Sequence, residues 1–147
     1  MRFCSKWVAL IALAVACNST KVLQTTDASG AFSFPEEPYQ TVTSQQGTLK
    51  VSAWTAPNQP PIRGVIVVKL LATNTASGEP VDGLTLDIVP EMAAMGHGSS
   101  AIPQVSPGGS GVYIATDVNL YMPGRWNLDA AVSGVVTDDV SIPFDVQ

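Results

Sequence analysis

The chain has 147 residues, of which 46% are hydrophobic and only 13% are charged, and this length suits one domain. Seven Lys and Arg against twelve Asp and Glu give a net charge of −5, and no cluster of basic residues forms the patch that a nucleic-acid-binding protein needs. Twelve Gly and eleven Pro favour many short strands joined by turns over long helices.

The first 17 residues have the pattern of an export signal, in which two basic residues precede a continuous apolar run over 8–16. This run is too short to span a membrane, which takes about 20 residues. Two interpretations of the same cleavage point remain open. Ala14-Val15-Ala16 fits ordinary signal peptidase, whereas Leu13 to Cys17 resembles a bacterial lipoprotein box in which Cys17 receives the lipid.

Cysteine usage favours lipidation at Cys17. Cys4 would leave with the signal, so Cys17 would be the one cysteine of an exported chain. We therefore predict a signal peptide over 1–17, a polar tether and lead-in over 18–46, and a domain over 47–147. Asn18 favours sorting to the outer membrane over the inner one, on the periplasmic side of a bacterial cell envelope. Release as a soluble periplasmic protein is the alternative.

Alternating apolar residues after the tether predict half-buried antiparallel strands. The rows expected to face a core are Leu49, Val51, Ala53; Leu84, Leu86, Ile88; Trp126, Leu128, Ala130, Val132; and Val140, Ile142, Phe144. The more continuous apolar stretch Gly64 to Thr73 suits a central strand covered on both faces. About seven such strands predict an all-β, immunoglobulin-like antiparallel β-sandwich.

Two further expectations concern individual positions. In the segment after Gly111 we expect one side to face inward and Tyr113, Asp117 and Asn119 to face solvent; the inward side is Val112, Ile114, Thr116, Val118 and Leu120. The pair Asp138-Asp139 is expected to form a solvated turn.

The chemistry of the chain is concentrated in the segment Glu91 to Gly98, which contains Met92, Met95 and the single His97. A third methionine, Met122, lies in a Met-Pro-Gly turn. We expect these four residues in connectors, whereas methionines that fill a core would lie within strands. Thioether sulfur is a soft donor that selects Cu(I), and imidazole binds copper as well. The pattern therefore indicates a Cu(I) site, with no other cofactor expected.

Packing is the alternative explanation of this loop. Met92 and Met95 would then close the end of the sandwich, and His97 would lie at the surface.

Three segments resemble the YtkA-like domain family, which is related to FixH. Met92 to Gly98 is similar to the family's M-P-x-M-G-H-G motif, with Ala93 in place of Pro. Because alanine restricts the backbone less than proline does, we expect this loop to be less rigid than in the family. Gly111-Val112-Tyr113 is similar to its G-x-Y strand start, and Met122 to Leu128 to its M-P-G-x-W-x-L hairpin. The resemblance implies an exported or membrane-tethered immunoglobulin-like domain, often in a copper-handling or oxidase-maturation context.

These observations define the functional expectations. The first is a lipid-anchored Cu(I)-binding domain whose ligands are Met92, Met95, His97 and Met122 and whose partner is a copper protein or an oxidase-assembly protein. The alternative is an envelope interaction or scaffold module without metal. We expect no enzyme, because no nucleophile or acid–base pair is evident in the sequence.

Overall fold

A computed structural model describes residues 32–147 of the chain. The signal peptide over 1–17, Cys17 and most of the tether lie outside these residues. Nine strands and a single-turn 3-10 helix (Ala93–Met95) form the described part. The strands are β1 (Gln40–Thr43), β2 (Leu49–Ala56), β3 (Gly64–Asn74), β4 (Leu84–Met92), β5 (His97–Gly98), β6 (Gln104–Gly109), β7 (Val112–Leu120), β8 (Gly124–Gly134) and β9 (Asp138–Val146).

The strands form two antiparallel sheets, which confirms the predicted all-β sandwich. One sheet has the order β1-β2-β3-β7-β6 and the other has the order β5-β4-β8-β9. The sequence predicted about seven strands, and the rows it identified correspond to six of the nine strands observed. Alternation did not reveal the four-residue β1, the two-residue β5 or the six-residue β6. β1 lies within the segment 18–46 that was expected to be tether and lead-in.

The core lies between the two sheets and is made of the predicted rows. Leu49, Ala53, Trp126, Leu128 and Phe144 are fully buried in it. β3 lies in the middle of its sheet, as predicted. One of its faces is buried and the other is only partly covered, so coverage on both faces was overestimated.

The predicted orientation of β7 was wrong over its first half. Tyr113 and Ala115 face the core there, and Thr116 and Asp117 together stand opposite the single residue Val67 of β3. This extra residue is a β-bulge, at which Asp117 takes a φ of 58°. Val118 and Leu120 beyond it face the core as expected. A bulge shifts the alternation by one residue, so no uniform period of two describes this strand.

The expected solvated turn at Asp138-Asp139 was also wrong for its first residue. Asp138 is 2% exposed, and its carboxylate accepts hydrogen bonds from the Thr48 hydroxyl and from the backbone N–H groups of Gln46 and Asp139. These contacts join the turn between β1 and β2 to the start of β9. The carboxylate is buried because the fold supplies its hydrogen-bond donors.

The lead-in before β1 packs onto the sandwich. Tyr39 stacks on Phe144 with ring centroids 5.4 Å apart. Further upstream, Phe34 and the Trp54 ring both lie against the Lys69 ammonium, at 5.1 and 4.3 Å from their ring centroids. The lead-in therefore contacts both sheets, with Phe34 on the outer face of the five-stranded sheet and Tyr39 against the core residue Phe144 of β9.

Strand register fixes which connectors share an end of the sandwich. Gly64 pairs with Leu120, Glu91 with Asn127, and Gly124 with Val146. The connectors 57–63, 93–103 and 121–123 therefore lie at one end, together with Gln147. We call this the His97 end. Within residues 32–147, no helix has the length and hydrophobicity required to cross a membrane.

Candidate functional site

The four residues predicted as metal ligands all lie at the His97 end, but in different environments. Met92 is the last residue of β4 and His97 is the first of β5, so the expectation that both lie in connectors was wrong. Met95 ends the 3-10 turn, and Met122 lies in the connector between β7 and β8 as expected.

Pairing of β4 with β5 brings Met92 and His97 together. The two residues are direct partners in this antiparallel pair. Directly opposed residues point to the same face of a sheet and have Cβ atoms about 4.5–5.5 Å apart. The thioether of Met92 and the imidazole of His97 therefore start from the same face of the four-stranded sheet.

A close approach connects Met92 to the turn that carries Met122. The terminal methyl carbon of Met92 lies 2.9 Å from the position that a Cβ atom would take on Gly124. Gly124 follows Met122 by two residues and has a φ of 124°, which L-residues rarely adopt. Glycine at this position leaves the space that the Met92 side chain fills.

Trp126 holds the Met122 connector in place. Its indole N–H donates a 2.9 Å hydrogen bond to the Met122 carbonyl, and the ring is fully buried. Tyr121 packs edge-on against the same ring at 5.3 Å. Trp126 therefore anchors the core and the turn together, in line with its expected role as a core residue.

The 3-10 turn displays Met95 at the surface. The turn has no buried residue, packs near β8, and is closed by a 3.3 Å hydrogen bond from the Gly96 N–H to the Ala93 carbonyl. Gly96 adopts the left-handed conformation with a φ of 64°, which turns the chain into β5. Met95 is 56% exposed, and His97 is exposed as well.

Burial separates the donors into two groups. Met92 is 5% exposed and belongs to the core, and Met122 is half-buried against that core. Met95 and His97 face solvent. The packing alternative is therefore confirmed for Met92, which is buried in the core, and for His97, which lies at the surface. It is wrong for Met95, which does not pack into the end of the sandwich.

The donor set fits a monovalent soft ion in its chemistry. Three neutral thioethers and one imidazole at the same end are the ligand types that Cu(I) prefers. The two exposed members leave the group accessible from solvent, and the Met92 methyl reaches the exposed Gly124 from the core side. Among residues 32–147, His, Cys, Asp and Glu side chains form no cluster of three or more that could hold a metal ion.

The sequence did not predict the contribution of Gly124. Its only signal was the Met-Pro-Gly-x-Trp pattern, and the contact with Met92 depends on the pairing of β4 with β8. That pairing is a property of the fold and cannot be read from local sequence.

Taken together, the fold and this end of the molecule define a β-sandwich domain with a methionine- and histidine-bearing loop at one end. The chain belongs to the YtkA-like family, whose model matches residues 43–131, more than half of the sequence. The match begins at the last residue of β1 and ends within β8, so it includes all four candidate ligands. No curated protein matches the chain.

Proposed function

We propose that this YtkA-like protein is an exported Cu(I)-binding domain whose ligands are Met92, Met95, His97 and Met122. The observation that carries the proposal is the contact of the Met92 methyl with Gly124. It brings the end of β4, which leads into the segment with Met95 and His97, next to the turn that contains Met122, and this proximity supports a shared site for the four proposed donors.

The ligands would contribute unequally. His97 and Met95 are exposed and can capture the ion from solvent or from another protein. Met122 and Met92 would approach from the core side, where packing restricts their side chains. Thioethers select Cu(I) over Zn²⁺, Mg²⁺ and Ca²⁺ because sulfur is a soft, uncharged donor.

The proposed setting is the bacterial cell envelope. Cys17 would receive the lipid after the export signal is cleaved, and the segment up to the lead-in would connect the anchor to the sandwich, on the periplasmic side. The proposed role is a binding domain and not an enzyme, with a copper protein or an oxidase-assembly protein as the partner and no nucleic acid.

A Cu(I) competition titration of the full chain in detergent tests the proposal. The comparison variant combines Met92→Leu, Met95→Leu, His97→Gln and Met122→Leu, because Leu keeps the volume of Met in the core. We expect one Cu(I) per chain and a loss of affinity of at least about 100-fold in the variant. Equal affinity in the two proteins would rule the proposal out.

A matched control distinguishes Cu(I) binding at this site from binding that depends only on the number of methionines in the chain. Val135 is 67% exposed on the connector between β8 and β9, at the opposite end of the sandwich. In the double variant Met95→Leu/Val135→Met the number of thioethers is unchanged, but one has moved. We expect this protein to bind as weakly as Met95→Leu alone.

The second candidate is an envelope interaction module without metal. Burial of Met92 favours it, because packing alone accounts for a methionine at 5% exposure. This candidate predicts that the fourfold variant retains a partner that co-purifies with the wild-type chain. The copper proposal predicts that the variant no longer exchanges Cu(I) with such a partner.

A further inference from the structure

The three thioethers at the His97 end differ widely in their access to solvent. Met95 is 56% exposed, Met92 is 5% exposed, and Met122 is half-buried against the core. The neighbours of Met95 in the 3-10 turn are two exposed alanines, and no residue of the turn is buried. Neither the turn nor the core therefore shields the Met95 sulfur from a small oxidant.

We propose that Met95 is a redox modification site, at which hypochlorous acid converts the thioether into a sulfoxide. A sulfur lone pair attacks chlorine, the O–Cl bond breaks, and hydroxide leaves with the bonding pair. Water then adds to sulfur, chloride leaves, and two protons are lost, one of which neutralises the hydroxide. Sulfur loses two electrons and chlorine gains them, and the added oxygen comes from water.

The fold tolerates this change at Met95 and opposes it at Met92. The Met95 side chain lies outside the core, so the polar oxygen of the sulfoxide stays in water. The Met92 side chain is packed among the core residues, and its methyl already lies 2.9 Å from the Cβ position of Gly124. An oxygen added there would enter a cluster of buried hydrophobic side chains, where a polar atom costs free energy unless it is hydrogen-bonded.

The consequence for copper rests on the proposed function. A sulfoxide replaces a soft sulfur donor with a polar, harder group, which binds Cu(I) poorly. Oxidation of Met95 would thus remove one of the two exposed ligands while the sandwich stays folded. A sulfoxide can be reduced back to the thioether, so the change is reversible in the presence of a methionine sulfoxide reductase.

The first test measures the oxidation alone. The full chain is treated with limiting hypochlorous acid, and fragmentation mass spectrometry follows the added oxygen on Met92, Met95 and Met122. We expect Met95 to oxidise at least about tenfold faster than Met92 in the folded protein, and all three at similar rates in guanidinium. Equal rates in the folded protein would overturn the inference.

The second test measures copper. Protein oxidised at Met95 should bind Cu(I) at least about tenfold more weakly than untreated protein. The variant Met95→Leu should show no such change after the same treatment. Unchanged affinity after full oxidation of Met95 would overturn the regulatory role. If untreated protein bound no Cu(I), the proposed function would fail, whereas the mass measurement would still decide whether Met95 is the modified residue.

Discussion

The terminal methyl of Met92 occupies the space that a side chain on Gly124 would need, with 2.9 Å between the methyl carbon and the Cβ position. A glycine at the start of one strand thus leaves room for the end of a methionine side chain from the neighbouring strand. This relationship connects the two methionine-bearing segments of the candidate site.

Gly124→Ala should therefore displace Met92 and weaken Cu(I) binding. Gly64→Ala is the matched control, because Gly64 has a φ of 129° against 124° for Gly124 and open space around its Cβ position. Both variants should lose about 1 kcal/mol of stability from the strained backbone. Gly124→Ala should lose slightly more, by less than about 1 kcal/mol, because the atom displaced is the end of a flexible side chain, and chemical denaturation would measure the difference.

A double-mutant cycle assigns that difference to Met92. In a Met92→Ala background the steric conflict is gone, so Gly124→Ala should cost no more than Gly64→Ala does. An unchanged excess cost in this background would show that Met92 is not the group that Gly124 accommodates.

Tyr113→Phe should destabilise the protein by about 1–3 kcal/mol, because the Tyr113 hydroxyl bridges two backbone groups. It donates to the Val81 carbonyl at 2.9 Å and accepts from the Leu84 N–H at 3.0 Å, and the residue is 2% exposed. Tyr121→Phe is the control at a 43% exposed tyrosine and should change stability by less than about 0.5 kcal/mol. Similar urea midpoints for the two variants would contradict this assignment.

Gly111→Ala should be among the most destabilising single changes at a turn. A Cβ atom on Gly111 would lie 2.6 Å from the Ala72 carbonyl oxygen, and that backbone is held in β3. Gly109→Ala is the control, since its φ of 83° resembles the 74° of Gly111 and its Cβ position is open. We expect Gly111→Ala to cost at least about 2 kcal/mol more in thermal or chemical unfolding. Equal losses of stability in the two variants would mean that backbone strain alone accounts for them and that the approach to the Ala72 carbonyl adds nothing.

Asp138 should make the stability of the protein depend on pH in the acidic range. Burial raises the pKa of this carboxyl, but hydrogen bonds from Ser44, Thr48 and the backbone N–H groups of Gln46 and Asp139 outweigh it and hold the pKa well below the ordinary 3.8. In the unfolded chain the group takes up its proton near that ordinary value. The stabilising contribution is therefore complete above about pH 5 and is lost as the pH falls towards the folded pKa.

Asp138→Ala should lower stability by about 2–4 kcal/mol at neutral pH, because several buried donors lose their acceptor. It should also remove this part of the decline between about pH 5 and pH 2. Asp139→Ala changes the exposed neighbouring residue and should preserve both the stability at neutral pH and its decline in acid. Urea midpoints across this pH range would measure the effect, and an identical acid decline in Asp138→Ala would refute it.

Local patterns predicted most strands of this protein but missed two features that depend on tertiary contacts. Alternation placed Leu128 and Ile142 in the core correctly, because both lie on regular strands. It failed at Tyr113, since the bulge at Asp117 reverses the inward side of β7. It also failed at Asp138, because two of its hydrogen-bond donors, Gln46 and Thr48, come from a turn about 90 residues away in the sequence.

The candidate site was predicted by residue type but not by environment. The sequence identified Met92, Met95, His97 and Met122 and could not show that they share one end of the sandwich. Nor could it show that Met92 is buried and Met95 exposed, because this depends on where β4 ends relative to β8. The metal itself remains a prediction.

X-ray absorption at the copper edge of the Cu(I)-loaded full chain tests the central claim most directly. We predict sulfur neighbours together with a nitrogen neighbour, loss of the nitrogen in His97→Gln, and loss of one sulfur in Met95→Leu. A spectrum with light-atom neighbours alone, or one that neither substitution changes, would contradict a copper site at the His97 end.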